Sequence, residues 1–370
     1  MTLIRKSQRF LTFSILSVIP ALYSCNSSQP AETNVAEEIA AQKDFVFGDD
    51  RPFPQCHAST LVRNDDGTFV IAWFGGTKEK DDDVGIWVSV GRPGNWTAPE
   101  EVAKIREDPH WNPVLHRSKD GKIYLFFKVG KEISHWETWV QTSEDGGQTW
   151  SEAYELVPGD RGGRGPVKNK MIELSDGTWL AGASIEPGLW HVMVDRSEDG
   201  GKTWVESEQL QIDTVAIKGK GAIQPTLWES APGKVHMLVR TTGGLIGRAD
   251  SEDNGKTWST IRATSLPNPN SGIDLTKLPD GTLALMYNPD NKNWGSRSPI
   301  SLALSYDNGE TWPDVIDIDG SKEEDEYSYP AIISWGDSVA TTYTWNREKI
   351  AFWWGTKDQI KKWASAKKEN

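Results

Sequence analysis

Four cations of this 370-residue chain, Lys128, Lys170, Arg240 and Arg347, fall at or just beyond the ends of short apolar runs, and so do His57, Tyr329 and Tyr343. Asn112, Glu186, Gln224 and Asp274 occupy positions of the same kind. Brought together, cations and amides would hold a carboxylate, while an imidazole and phenols would move protons beside it. One reaction that uses every one of these types is β-elimination on a uronic acid. A base removes the proton at C5, donors stabilise the charge that develops on the carboxylate, and an acid protonates the group leaving C4. His57 is the candidate base, Tyr329 or Tyr343 the proton donor or relay. Arg240, Lys170 and Asn112 are the candidate carboxylate holders, with Lys128, Glu186, Gln224, Asp274 and Arg347 completing the binding set. The alternative is structural: the cations pair with Glu186, Asp274 and Glu79, His57 is a hydrogen-bonded strand residue, and the tyrosines pack in the core.

The elements that must position these residues are read from turns. Asp66-Gly67, Asp120-Gly121, Asp176-Gly177, Pro232-Gly233, Asp280-Gly281 and Gly336-Asp337 each precede an apolar run. A second series reads Ser143-Glu-Asp-Gly-Gly-Gln-Thr-Trp150, Ser197-Glu-Asp-Gly-Gly-Lys-Thr-Trp204, Ser251-Glu-Asp-Asn-Gly-Lys-Thr-Trp258 and Ser305-Tyr-Asp-Asn-Gly-Glu-Thr-Trp312, each beginning 54 residues after the last. Another step back lands on Ser89 and Trp96, a degenerate copy without the central Asp. Units of this length, with four short strands that cannot bury both faces alone, predict an all-β fold, a six-bladed β-propeller. Inner strands then begin near His57, Asn112, Lys170, Gln224, Asp274 and Tyr329, and second strands end near Phe74, Lys128, Glu186, Arg240, Asn288 and Tyr343. Antiparallel pairing puts both sets of ends on one face. Loops beyond them add Glu79, Asp82, Trp111, Asn169, Asn270 and Asn346-Arg347.

The Ser-x-Asp-x-Gly-x-Thr-Trp segments resemble the Asp-box turns of sialidase-like propellers, over roughly residues 45–356. They are expected to be structural staples on the face away from the site. The stretches Trp111-Asn112-Pro113, Gly165-Pro166-Val167-Lys168-Asn169-Lys170, Gln224-Pro225-Thr226, Leu266-Pro267-Asn268-Pro269-Asn270-Ser271-Gly272 and Tyr329-Pro330 are similar to those of bacterial sialidase-like, or BNR-repeat, proteins. That resemblance implies three arginines on a substrate carboxylate, an acid/base Asp, and a Tyr nucleophile activated by Glu. Tyr329 falls in the nucleophile's place, Arg240 in that of one arginine, and Asp81, Asp82 or Asp83 near the acid/base loop. Two places differ: His57 stands where the first arginine is expected, and Gln224 where the activating Glu is expected. Without that carboxylate a phenol is a poor nucleophile at neutral pH. Propeller polysaccharide lyases, ulvan-active ones among them, resemble the alternative scheme in using His, Tyr and Arg.

Composition narrows the partners. A formal charge of −13 repels nucleic acid and anionic lipid. Nineteen Trp, 34 Gly and 20 Pro suit short strands and tight turns rather than helical bundles. His110, His116, His135, His191 and His236 lack metal-ligand spacing, so neither a metal nor a cofactor is expected. Residues 1–24 read as a signal peptide, with Arg5, Lys6 and Arg9 before an apolar stretch, and Leu22-Tyr23-Ser24-Cys25 resembles a bacterial lipoprotein site lipidated at Cys25. An ordinary secretory peptide with an incidental Cys25 is the alternative. The expectation is a monomer exported and lipid-anchored to a bacterial membrane, periplasmic or at the cell surface. A polar linker over 25–44, the propeller over 45–356 and a short basic helix over 357–370 complete the organisation. Three functions are open: an enzyme of lyase or dehydratase type acting on the terminal uronic acid of an acidic oligosaccharide, an exo-sialidase-like hydrolase, and a noncatalytic glycan-binding propeller with Trp111, Trp294 and Trp345 as sugar platforms.

Overall fold

A computed structural model describes residues 35–186, 188–320 and 322–369. Six antiparallel sheets follow one another along the chain as the blades of a propeller. The inner strands are Gln55–Arg63, His110–Arg117, Ile172–Glu173, Ala222–Ala231, Asp274–Lys277 and Tyr327–Trp335 for blades 1 to 6. Each pairs with its successor, and each blade's hydrophobic face packs on the next, because a single four-stranded sheet cannot cover both of its apolar faces. Helix α1, Val35–Ala40, and helix α2, Lys357–Glu369, lie against each other, with Ile39, Ile360 and Trp363 buried in the core of the last two blades. No described helix is long and apolar enough to cross a membrane.

The ring closes through the N-terminal part of the chain. Lys43–Phe45 pairs antiparallel with Lys349–Thr356, so blade 6 combines three strands from the end of the chain with one from its start. The polar linker expected over 25–44 is therefore corrected for residues 35–44. Val35 and Ile39 give α1 an apolar side, and Lys43–Phe45 supplies the ladder that the last blade lacks. Cys25 and the signal segment lie outside the described residues.

All four full repeat segments form the same turn. In the first, Asp145 Oδ1 accepts from the Ser143 hydroxyl (2.8 Å) and from the Gln148 and Thr149 amides (3.0 and 2.9 Å), while the Gly147 amide donates to Ser143 Oγ (2.9 Å). Two consecutive residues are left-handed, Gly146 at φ 76° and Gly147 at φ 91°. Asn254 and Asn308 fill the first of these positions in later copies, as Asn tolerates that conformation. The second is always Gly, since a Cβ on Gly147 would come within 2.8 Å of Val70. The degenerate copy is instead a hairpin turning at Pro93-Gly94, whose Trp96 donates to Asp44 Oδ2 (2.7 Å). These turns lie at the far ends of the third strands, away from the ends that carry the candidate site residues.

The Thr149 hydroxyl and amide hold the Asp145 carboxyl down at about 2, and Thr311 does the same for Asp307, against an ordinary value of 3.8. A carboxyl depressed in the folded state contributes stability that is complete above its unfolded value and disappears as pH falls through the folded value. The thermal midpoint is therefore expected to drop steadily from about pH 4 to about pH 2. Asp145→Asn should start lower at pH 7 and fall less steeply, which a pH series of calorimetric scans would test; a parallel pair of curves would remove this turn from the acid response.

Candidate active site

Each inner strand is entered through a non-glycine residue with positive φ: Ala58 (57°), Asn112 (42°), Lys168 (65°), Gln224 (56°), Asn270 (59°) and Tyr329 (51°) in blades 1 to 6. In four blades the kink is a bulge, where pairing skips from His57 to Thr60, Trp111 to Val114, Ile223 to Thr226 and Ser328 to Ala331. The prolines of Asn112-Pro113, Gln224-Pro225 and Tyr329-Pro330 sit in that gap, where no ladder donor is required. Hydroxyls of neighbouring blades take freed amides: Ala58 N donates to Thr344 Oγ1 and Gln224 N to Ser184 Oγ, both at 3.2 Å. The kink turns Asn112, Gln224 and Tyr329 into a cavity of about 280 Å³ at the axis.

Three arginines share this cavity: Arg240, Arg297 and Arg347. Arg240 is anchored through Nε to Asn270 Oδ1 (2.7 Å) and through Nη1 to Gln224 Oε1 (3.2 Å). Arg297 is held by Glu326 at 2.8 Å. Arg347 is held by Glu326 at 3.0 Å and by Glu79 at 2.6 Å. Burial works against the Glu326 carboxylate, but Arg347 and Arg297 outweigh it and keep it below the ordinary carboxylate value. Arg240 and Arg347 are thus fixed through Nε and Nη1 and Arg297 through Nη1, and Nη2 of each makes no hydrogen bond among the described residues. Fixed cations with a spare planar donor are what a carboxylate requires.

Tyr329 lies among these cations. Its hydroxyl oxygen accepts from Arg240 Nη1 (2.7 Å) and lies 3.4 Å from the Gln224 amide nitrogen. The Arg240 and Arg297 guanidinium carbons are each 5.7 Å from the centre of its ring. The buried His57 ring packs against it at 4.2 Å between centroids, and His57 Nδ1 has no hydrogen-bond partner among the described residues. Burial first, then Arg347, Arg297, Arg240 and Lys168, pushes the imidazole well below its ordinary 6.5, so His57 is neutral at physiological pH. Glu186 also lines the cavity; burial raises its carboxyl, with Arg240 and Lys220 acting against that.

Four expected site residues lie elsewhere. Lys170 is bound by the Asp274 carboxylate (2.8 and 2.9 Å), which also accepts from Thr226 Oγ1 (2.7 Å) and the Ile332 amide (2.9 Å). That pair joins blades around the axis and offers nothing to a ligand. Lys128 spends its three donors on Thr138 Oγ1 (2.7 Å) and the Gly163 and Arg164 carbonyls, and burial pulls it down to about 7. Tyr343 is fully buried and donates to Asp319 Oδ2 (2.9 Å). In each case the side chain is already committed to partners within the protein: Asp274 of blade 5 for Lys170, Thr138 and the following connection for Lys128, and Asp319 of blade 5 for Tyr343. Asp82 pairs with Lys131 at 2.8 Å, outside the cavity lining, and Trp345 packs on Phe45 and Tyr327. Trp111 and Trp294 do line the cavity.

Arg297 and Trp190 line the cavity and Glu326 holds two of its arginines, and none of the three is expected from the sequence. Arg297 sits in the long loop between the second and third strands of blade 5, which Asn288 holds by donating to the Arg297, Pro299 and Tyr327 carbonyls at 2.8–2.9 Å. The equivalent loop of blade 1, carrying Glu79, was the available signal. Among the described residues no group of His, Cys, Asp and Glu could hold a metal ion. Replacing Arg297 by Ala is expected to weaken binding of glucuronate or sialic acid about 10- to 100-fold, as a lost charged hydrogen bond is worth about 1.5–3 kcal/mol. Folding should change little, because Arg347 still neutralises Glu326. Titration calorimetry checks this, and unchanged affinity would mean that the arginines do not act on the ligand together.

Comparison with known proteins places this geometry. Residues 67–341 match the BNR repeat-like domain. Two sialidases are related in sequence: one from Paraclostridium sordellii, 22% identical over 247 residues, and one from Micromonospora viridifaciens, 27% identical over 212. The matches cover 56% and 52% of this chain but only 59% and 32% of those proteins. In fold, the chain is similar to the Hadza microbial sialidase Hz136 (TM-score 0.71, 18% identity, 85% of this chain and 68% of that one). It is also similar to a Dyadobacter fermentans protein of unknown function (TM-score 0.69, 18% identity, 86% and 99% covered) and to the NanB sialidase of Streptococcus pneumoniae (0.65, 15%, 86% and 71%). With the repeat-like domain spanning most of its blades, the chain belongs to the sialidase-like BNR-repeat family of β-propellers.

Proposed function

We propose that the cavity binds the terminal uronic acid of an acidic oligosaccharide and cleaves or dehydrates it by β-elimination. The observation that carries this reading is the environment of Tyr329. Its oxygen accepts from Arg240, its neighbour is the Gln224 amide, and a neutral imidazole packs on its ring. An amide cannot take the phenol's proton as a carboxylate would, so the hydroxyl is suited to donating that proton rather than to nucleophilic attack. The spare donors of Arg240, Arg297 and Arg347 hold the C6 carboxylate and stabilise the charge that develops on it. His57 takes the proton from C5, the electron pair forms the C4–C5 double bond, the C4–O4 bond breaks, and Tyr329 protonates the departing oxygen. The products are a 4,5-unsaturated uronate and either a shortened sugar or water. Export on a Cys25 lipid anchor would bring the enzyme to polysaccharide outside the cell.

A second reading, exo-sialidase-like hydrolysis, is favoured by the naming of the sequence relatives and by the three arginines. The two separate on product. Uronic-acid-terminated oligosaccharides should produce ultraviolet absorbance from the new double bond, whereas sialosides should release sialic acid without a chromophore. Turnover of neither, with equal binding of substrate and product analogues, would leave only a glycan-binding propeller.

His57→Ala is expected to lower elimination about 10²–10⁴-fold with the fold retained; full activity in that variant would remove His57 from the mechanism. The base acts in its neutral form, and its proton affinity in the free protein is depressed. The acidic limb of kcat/KM should therefore lie well below pH 6.5, with no loss between pH 7 and 6.5. A limb at or above 6.5 would assign the base elsewhere.

A further inference from the structure

Beside the cavity, and sharing Trp190 with it, lies a second depression of about 390 Å³. Its floor is apolar, formed by Leu210, Ile212 and Ile217, and one rim carries the exposed Leu189. The other rim is the segment 218–221, which presents Lys218 and Lys220 to solvent. That segment is pinned in place. Trp190 N donates to the Lys220 carbonyl (2.7 Å), Thr242 N to the Gly221 carbonyl (3.1 Å), and Thr242 Oγ1 to the Lys218 carbonyl (3.1 Å). Neither lysine forms an ion pair among the described residues, although the chain as a whole is acidic. Lys220 is also close enough to act electrostatically on Glu186 in the first cavity, so the two recesses share one field.

We propose that this depression is a second sugar subsite, selective for an anionic group on the residue next to the terminal uronic acid. The proposal rests on the reading of the first cavity as an acidic-sugar site, and it narrows the substrate class to oligosaccharides charged on consecutive residues. The apolar floor receives the C–H face of a pyranose, as aliphatic and aromatic side chains do for sugar rings. Trp190 is the partition between the two rings. Lys218 and Lys220 supply the complementary charge from a rigid loop, which limits the entropy lost on binding. A sulfate ester and a carboxylate share the chemistry that two ammonium groups recognise.

Binding is measured calorimetrically on the His57→Ala chain, so that turnover does not interfere. Three disaccharides share a terminal uronic acid and differ in the second sugar: neutral, sulfated, or itself a uronic acid. At low salt one or both charged forms should bind about tenfold more tightly than the neutral form, consistent with two exposed charge contacts. The charged form that gains identifies the group. The gain should shrink at high salt and vanish in Lys218→Ala/Lys220→Ala, while the neutral disaccharide shifts less than about twofold. Equal binding of all three disaccharides, or a gain that survives the double substitution, overturns the subsite. Because the readout is affinity without turnover, absence of the chromophore in the unmodified chain would overturn elimination alone and leave this result standing.

Discussion

Six non-glycine residues in left-handed backbone conformation, one at the entrance of each inner strand, are the constraint on which the rest of the structure depends. Such residues are disfavoured by about 1–2 kcal/mol each, so they persist only where the surroundings over-determine them. Here the surroundings are visible. Lys168 is held by Asn169 Oδ1 and the Ile273 carbonyl at 2.8 Å and by the Pro330 carbonyl; Gln224, Asn270 and Tyr329 are all held through Arg240. One guanidinium thus fixes the kinks of blades 4, 5 and 6. In blades 2, 4 and 6 strain and cavity coincide: straightening the kink would return the strand to its ladder and withdraw Asn112, Gln224 or Tyr329 from the cavity.

Cations near the axis serve two purposes, and their hydrogen bonds tell them apart. Lys128, Lys168 and Lys170 spend their donors on carbonyls, hydroxyls and Asp274; Lys168 and Lys170 tie blades together, and Lys128 ties its own blade to the connection that follows it. Arg240, Arg297 and Arg347, which line the cavity, spend only part of theirs among the described residues. A compact ammonium can be saturated by three acceptors, whereas a planar guanidinium anchored along one edge still presents another. Glu326 serves two arginines at once and Glu79 pairs with Arg347 as well, which leaves Arg297 the less fully neutralised of the two.

The surroundings of the reacting groups separate this propeller from the pattern its resemblance implies. Where an arginine is expected there is a buried neutral histidine, and where a carboxylate is expected there is an amide. Both changes remove groups that would generate a phenolate, and under the proposed elimination they leave Tyr329 to donate a proton and His57 to accept one. In the proposed reaction, the positive surroundings that lower the proton affinity of His57 would be offset by the substrate carboxylate.

The architecture was legible in the sequence because it is written in local rules. The Asp, Gly and Thr positions of the repeated turn are dictated by its own hydrogen bonds and left-handed residues; four copies at one spacing set the period, and the six turns before apolar runs count the blades. The face that carries the site was also readable, since antiparallel strands place alternate ends together. Membership of the site was not. Lys170 and Tyr343 sit at the expected strand ends but are consumed by partners from other blades, and Lys128 by its own blade and the connection after it, while Arg297 enters from a loop whose course depends on Asn288. Which donors a side chain has left over is a property of every neighbour it meets, and those neighbours are fixed only when the ring closes through Lys43–Phe45.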